Sequence, residues 1–351
     1  MIHSQPFFSI IMPMHNAAKY VEKAIHSVLS QTFTNFEYIL IDDFSQDKTI
    51  DICKSLIDER CKIISLEKNE GPGIARNKGL QVAAGAYILF LDADDWMDST
   101  LFEHIYQTAM AKEPDLLVFG ITEEYVNQKG SIFKTQQLKL TQKFFDSEAS
   151  SREFIINLQK GTMFRYVWNK AYKRKHIVNQ HIGFNEFPIG EDVYFNIQYS
   201  DSVQTIATIS GPTYHYKRVQ SGSAMGKYYP DFWKINYTLI LMRYEQSVHW
   251  HLLSLAKDIL VEDYLKFIFL TLQMSFFPIS KSTNSSRKKF LQNRNLDEIY
   301  KKLVLSYTGN NKVSILFKLL ITKNFYQSSI IIGYILHILK NKLYKIYSIL
   351  K

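Results

Sequence analysis

Three carboxylates crowd into the string Leu91-Asp92-Ala93-Asp94-Asp95-Trp96, directly after the apolar run Ala86–Leu91. Unpaired carboxylates so close together repel one another strongly in a partly dry site. A divalent cation removes that repulsion. Oxygen-only ligands at an open site suit Mg²⁺ or Mn²⁺, with water and diphosphate filling the remaining positions. The alternation in Asp92-Ala93-Asp94 sends two of the acids to one side of an extended chain. An isolated Asp-x-Asp is also the signature of a plain turn. A second acidic string, Ile41-Asp42-Asp43-Phe44-Ser45-Gln46-Asp47, follows another apolar run. Its Asp43 can accept a hydrogen bond from a base N–H such as that of uracil, while Asp47 suits a helix cap. In Asn69-Glu70-Gly71-Pro72-Gly73-Ile74-Ala75-Arg76 the glycines permit a tight entry into a helix that carries Arg76 one turn in. Its guanidinium fork can clamp a diphosphate, or form a surface salt bridge.

These residues need elements to hold them. Phe7–Met12, Phe36–Ile41, Cys61–Leu66 and Ala86–Leu91 read as buried strands; Ala17–Leu29, Thr49–Ile57 and Gly71–Ala84 read as helices between them. This order predicts an α/β fold, a mostly parallel sheet with helices on both faces. Ligands then bind beyond the carboxyl ends of the strands, where the acidic strings fall. Further along, a strand is expected at Leu116–Ile121 and a helix at Ser151–Leu158. From about residue 231 the pattern changes to Lys-rich helices: Asp231–Tyr244, His251–Phe277, Leu296–Ser306, Val313–Thr322 and Tyr326–Ile349, with Pro278–Arg287 read as a linker. Two regions follow, 1–230 and 231–351. No internal repeat of solenoid period is present.

The motifs taken together resemble the family 2 glycosyltransferases. The resemblance rests on Ser9-Ile10-Ile11-Met12-Pro13-Met14-His15-Asn16, Ser27-Val28-Leu29-Ser30-Gln31-Thr32, the Asp42–Asp47 string, Ala75-Arg76-Asn77 with Gly79, and Phe90–Asp95. It is dense over residues 7–100 and thinner to about 225. It implies the GT-A fold and inverting transfer from a nucleotide sugar, usually with Mn²⁺ or Mg²⁺; the donor expected here is a UDP-sugar. Pro13, His15 and Asn16 then fall at the nucleotide, His15 replacing a common Tyr. Asp43 falls on the uracil-binding acid, Asn69 and Arg76 on nucleotide and diphosphate contacts, Asp92 on the ribose side, and Asp94 on the metal, supported by Asp95. Asp192 in Pro188-Ile189-Gly190-Glu191-Asp192 matches the catalytic base, with Glu191 at the acceptor; a pair of acids at a helix N-terminus is the competing reading. Val167-Trp168-Asn169-Lys170-Ala171-Tyr172 resembles a segment near the acceptor, where Trp168 suits stacking on a sugar or a place in the core. Tyr214-His215-Tyr216-Lys217-Arg218, with Ser221 and Ser223, resembles a late loop closing over the diphosphate: Lys217, Arg218 and Ser223 on the donor, His215 on the metal or simply packed.

Charge points to a second partner. Residues 1–230 hold 24 Lys and Arg against 26 Asp and Glu, whereas 231–351 hold 18 against 7, and no acid follows Glu298. A basic tail suits anionic lipid or nucleic acid. Ser328–Leu339 is strongly apolar but far short of the roughly 20 residues a bilayer span requires. With Lys340, Lys342 and Lys345 after it, it reads as an interfacial helix or a core helix of the appendage. The expected acceptor is a glycan or lipid-linked oligosaccharide at the inner face of the cytoplasmic membrane, without nucleic acid. Two cysteines, Cys53 and Cys61, cannot staple a chain of this size and are expected as free thiols in a reducing cytoplasm. Met1–Phe8 lacks the basic and apolar regions of a secretory signal. The alternatives are a nucleotidyltransferase and a nucleic-acid binder using the basic region. The former needs a Gly-rich basic loop after the first strand, where Pro13-Met14-His15-Asn16 stands.

Overall fold

In the computed structural model, residues 5–127, 131–219, 228–294, 297 and 300–342 are described. Continuous apolar runs become strands buried on both faces. In chain order the elements are β1 (Phe8–Met14), α1 (Val21–Leu29), β2 (Phe36–Asp42), α2 (Thr49–Leu56), β3 (Cys61–Ser65), α3 (Pro72–Val82), β4 (Tyr87–Phe90), β5 (Trp96–Met97), α4 (Leu101–Lys112), β6 (Leu116–Val126), β7 (Ile132–Leu138), β8 (Lys143–Phe145), α5 (Glu148–Leu158), β9 (Lys170–Lys173), α6 (Arg174–Asn179), α7 (Glu191–Ser200) and β10 (Ile206–Val219). Every residue of β1, β2 and β4 is buried, as covering helices on both sides require. β3, at the edge, is only partly buried.

The sheet runs β3-β2-β1-β4-β9-β6-β10-β5. Its first four strands are parallel, in the α/β pattern expected. Beyond β4 it turns mixed, because β9 runs against both β4 and β6. The register pairs Met14 with Asp42 and Ile11 with Phe90, so the carboxyl ends of β1, β2 and β4 share one edge. Asp43 and Leu91 continue the ladder with N–H bonds to Met14 and Ile11 carbonyls at 2.8 and 3.1 Å. That edge carries the acidic strings. The two-residue strand β5, just past Asp95, pairs antiparallel with Tyr214 and His215 of β10 and so joins the start of the chain's site to its late strand.

The chain divides into two compact units, Met1–Ser223 and Ala224–Lys351. The second is helical: α8 (Phe232–His249), α9 (Leu253–Met274), α10 (Asn284–Arg294), α11 (Lys312–Thr322) and α12 (Tyr326–Lys342). α9 is its core, buried over most of its length and packed by α8, α11 and α12. Part of the expected Pro278–Arg287 linker is instead the start of α10. Thr283 and Ser286 exchange bonds, each backbone N–H meeting the other's hydroxyl at 2.9 and 3.1 Å, and this reciprocal cap starts a helix that composition alone disguised. The helix expected over Leu296–Ser306 falls partly on residues 296, 298 and 299, outside the described residues; a short wide turn covers Tyr300–Val304. Cys53 and Cys61 are free thiols. No helix among the described residues is long and apolar enough to cross a membrane.

Candidate active site

The acids after β4 do not play equivalent parts. Asp95 is buried, and both its oxygens are used: one accepts the Lys217 backbone N–H and the other the Tyr214 hydroxyl, each at 2.8 Å. Tyr214 also accepts the Asp92 N–H at 3.0 Å, so one hydroxyl ties the acidic loop to β10. Burial, then the charges of Asp94 and Asp92, hold the Asp95 pKa well above the carboxylate range. Asp94 is surface-exposed on the same loop. Neighbouring protein still strips water from its carboxyl, which together with Asp92 pushes its pKa up to about 6 against the pull of Lys217.

Arg76 is the hub. It is 3% exposed, one turn into α3, and its fork donates to Asp92 at 2.7 Å, to Asp192 at 2.9 Å and to Glu191 at 3.5 Å. Its Nε is buried without a partner among the described residues. A helix beginning so close to the loop before α7 needs a glycine: a Cβ on Gly73 would sit 3.0 Å from the Asn185 carbonyl and 3.4 Å from Glu191 Cγ. Gly190 enters α7 at φ +79°, a left-handed angle that favours glycine, and thereby turns Glu191 and Asp192 toward Arg76. Desolvation pushes the Asp192 pKa up to about 7; Arg76 and Lys170 oppose it, while Glu191 and Asp92 add to it. A carboxylate poised near neutrality is what a general base requires.

The ends of β1 and β2 form a tight polar knot. Pro13 is buried within β1. His15 Nδ1 bonds the Asp43 carbonyl at 2.7 Å and its Nε2 meets Asn16 Nδ2 at 2.9 Å. Asn16, at φ +50°, receives Gln46 N–H at 2.8 Å and donates its own N–H to Ser45. Asp43 accepts the N–H groups of Glu70 and Gly71 at 2.7 and 2.8 Å, which fixes the loop carrying exposed Asn69. Asp47 accepts the Thr49 N–H at 3.0 Å, the capping role expected for it.

On the late strand, Lys217 places its amine 3.5 Å above the Tyr20 ring and leans toward Asp94 and Asp95. Arg218 is turned instead to Glu123, with Nε and Nη2 at 2.9 and 2.5 Å from one oxygen, so its fork is engaged by protein rather than offered to a donor. His215 faces Asp98 at 2.9 Å and Glu124 at 3.1 Å through its two ring nitrogens and stacks on Trp96. Both its nitrogens are thus engaged by protein, as in the packed reading. Asp95 likewise has both oxygens bonded to protein inside the core. Trp168 is 2% exposed and sandwiched between Tyr166 and Tyr214, with centroids 4.3 and 4.2 Å away. Neither face is open to a sugar. Ser221 and Ser223 lie outside the described residues.

Residues 9–178 match the Glycosyl transferase family 2 model. The chain is 28% identical over 302 residues to EpsH of Bacillus subtilis, covering 84% of this chain and 83% of EpsH. It is 27% identical over 218 residues to the glycosyltransferase GlyA of Streptococcus pneumoniae, covering 61% of this chain but only 31% of GlyA. Residues 1–349 of TarS from Staphylococcus aureus, solved with UDP-GlcNAc, superpose with a TM-score of 0.66 at 20% identity, over 93% of this chain and 90% of that one. Residues 9–178 are a family 2 glycosyltransferase domain. Its fold is GT-A.

Two further parts of this glycosyltransferase site were not assigned from sequence. Asn77, beside Arg76, bonds Phe184 through both backbone N–H and C=O at 2.8 Å, stapling the loop that leads to Asp192. Its place in the Ala75-Arg76-Asn77 string was the available signal. Lys170 is a buried amine that donates to the Met163 and Tyr166 carbonyls and to Asn169. Burial pushes its pKa down to about 7, and Asp192 opposes the fall. Its place in the Val167–Tyr172 string was the available signal. For a metal, Asp94 is the fitting ligand: an exposed oxygen donor whose proton affinity is raised by a neighbouring acid, a combination a divalent cation relieves. No group of three or more protein ligands is present among the described residues, so water and phosphate oxygens would have to complete the shell.

Proposed function

We propose that this glycosyltransferase moves a sugar from a UDP-sugar to a hydroxyl of a glycan or lipid-linked oligosaccharide, with inversion, in the assembly of a bacterial surface polysaccharide. One observation carries the reading: a single buried guanidinium joins the acid after β4 to Asp192, whose carboxyl is poised near pH 7. Support for the donor comes from TarS, a poly(ribitol-phosphate) β-N-acetylglucosaminyltransferase whose structure holds UDP-GlcNAc.

In this reading Pro13, His15, Asn16, Asp43 and Asn69 line the nucleotide side. Asp92 faces the ribose, and Asp192 takes the proton of the acceptor hydroxyl as its oxygen attacks the anomeric carbon. Attack from the base's side, opposite the leaving diphosphate, inverts the centre. Arg76 and Lys217 bring positive charge toward the departing diphosphate. Asp94 would hold Mn²⁺ or Mg²⁺, which when bound neutralises charge on the diphosphate. Glu191 orients the loop or meets acceptor hydroxyls. The unit 224–351 is read as a module for the membrane surface or the acceptor, at the inner face of the cytoplasmic membrane. The nucleotidyltransferase alternative lacks its basic loop after β1.

The test is release of UDP from UDP-Glc, UDP-Gal, UDP-GlcNAc and UDP-GalNAc, with Mn²⁺ or Mg²⁺ and with chelator. One donor is expected to be turned over, and Asp192→Asn to abolish transfer while leaving the fold intact. Full activity in Asp192→Asn, or no turnover of any nucleotide sugar, refutes the reading.

A further inference from the structure

The helical unit presents an apolar face that its own packing does not use. α11 meets α9 through Phe317, stacked on Phe269 at 3.5 Å, and also buries Leu320 and Ile321. The opposite side carries Ile315, Leu316 and Leu319 at helical spacing, the last two 48% exposed. Lys312 and Lys323 stand at the two ends of that stripe, both exposed. Phe325, between α11 and α12, is 55% exposed. α12 approaches α9 closely, since a Cβ on Gly333 would lie 2.9 Å from Leu272 Cβ. Ile330 is buried on that side, and Ile331 and Ile335 point away from it, exposed. Both helices therefore hold one side against α9 and leave apolar side chains on the other.

Charge selects the occupant. After Glu298 the sequence holds nine lysines and no acid. Two copies meeting through the same face would set Lys312 and Lys323 against their like with no carboxylate to pair them. An anionic bilayer answers both features: acyl chains take the apolar stripe and phosphate head groups take the lysines. Neither helix is long enough to cross it. We propose that the outer stripe of α11, continued by Phe325 and the outer side of α12, lies flat on an anionic lipid surface. The proposal rests on the membrane reading above and assigns it a face. It does not depend on Lys340 and Lys342, whose side chains lie outside the described residues, or on Lys345, which lies outside them altogether.

The experiment is co-sedimentation of the full chain with vesicles of phosphatidylcholine alone or mixed with phosphatidylglycerol. Binding is expected to the mixed vesicles and to weaken with salt. The pair Leu316→Glu, Leu319→Glu should weaken it roughly tenfold or more. The pair Lys312→Gln, Lys323→Gln, which leaves the apolar stripe intact, should weaken it about 25-fold, from about fivefold per lysine. UDP release from a soluble donor should be unchanged in both. Equal binding to neutral and anionic vesicles, or unchanged binding by both pairs, overturns the proposal. So does a lipid-free dimer that the leucine pair dissociates, which would give the face to a second copy. Vesicle binding with no turnover of any nucleotide sugar would leave the lipid face standing and remove the donor reading instead.

Discussion

Replacing Arg76 by Gln tests the centre of the site. The guanidinium is buried against Asp92, Asp192 and Glu191, at 2.7, 2.9 and 3.5 Å. Removing one member of a buried ion network costs about 3 kcal/mol or more, because the remaining charges stay desolvated. Three carboxylates share that loss here. If about half of a 3 kcal/mol loss falls on Asp192, its pKa rises by about one unit, at about 1.4 kcal/mol per unit. Asp192 starts from about 7. The acidic limb of kcat against pH should then move from about 7 to about 8, and the ionised fraction at pH 7 should fall from about one half to about one tenth. The share of the loss that runs through Asp192 is roughly fivefold at pH 7 and vanishes by about pH 9, on top of a pH-independent loss from the charge Arg76 brings to the diphosphate. Measuring kcat for UDP release at saturating donor separates this effect from weaker donor binding. Arg76→Lys should fall between, since it keeps the charge but one amine cannot bond Asp92 and Asp192 together. A folded Arg76→Gln enzyme whose acidic limb stays at about 7, with an equal loss at every pH, refutes the claim that Arg76 sets the ionisation of the base.

Two other outcomes follow from the same chemistry. Asp94 has a native pKa of about 6 against 3.8 ordinarily, so the native state holds its proton more tightly than the unfolded chain does. Ionised Asp94 therefore lowers stability as pH rises from about 4 to above 6. Asp94→Asn should melt higher than the parent at pH 8 and level with it below pH 4, and Mn²⁺ should raise the parent but not the variant; a variant melting lower at pH 8 contradicts this. Asp115 is the opposite case. Burial alone would raise its pKa, but His176 Nε2 at 2.9 Å and the N–H groups of Gln204 and Thr205 bring it down to about 2. Its contribution, about 2 kcal/mol, is present above pH 4 and fades as pH falls toward 2. Urea unfolding of Asp115→Asn should show that loss at pH 7 and little difference at pH 2.

Strands β1, β2 and β4 were legible because each is a largely apolar run with a helical pattern between, buried from both sides, while β3, interrupted by Lys62, is the partly exposed edge. The carboxyl-end rule then pointed to the right loops. Less legible was which way each side chain turns. Asp94 and Asp95 are neighbours in one string, yet one faces solvent and the other is locked to Tyr214 and Lys217, a difference made by β10, which lies 119 residues later in the chain. His215 and Trp168 carried the right chemistry for a metal and a sugar. Their partners Asp98, Glu124, Tyr166 and Tyr214 could not be read from spacing. The same holds for Arg76, whose charge was evident and whose partners in α7 were not. α10 was hidden because Ser, Thr and Lys suit a linker and a capped helix equally.

The geometry around Arg76 gives one physical reason for the site's arrangement. Asp92 belongs to the first, parallel half of the sheet, and Asp192 to the helix that precedes its last strand. One guanidinium bonds both, and its Nε has no partner among the described residues. Any anion that draws Arg76 toward the Asp92 side withdraws positive charge from Asp192 and raises its pKa, leaving less of it ionised at about pH 7. With Arg76 in place more of Asp192 is ionised at about pH 7, so the guanidinium read as facing the diphosphate also keeps the proposed base ready to accept a proton. The Arg76→Gln profile bears on this directly, because it removes the link while leaving both carboxylates where they are.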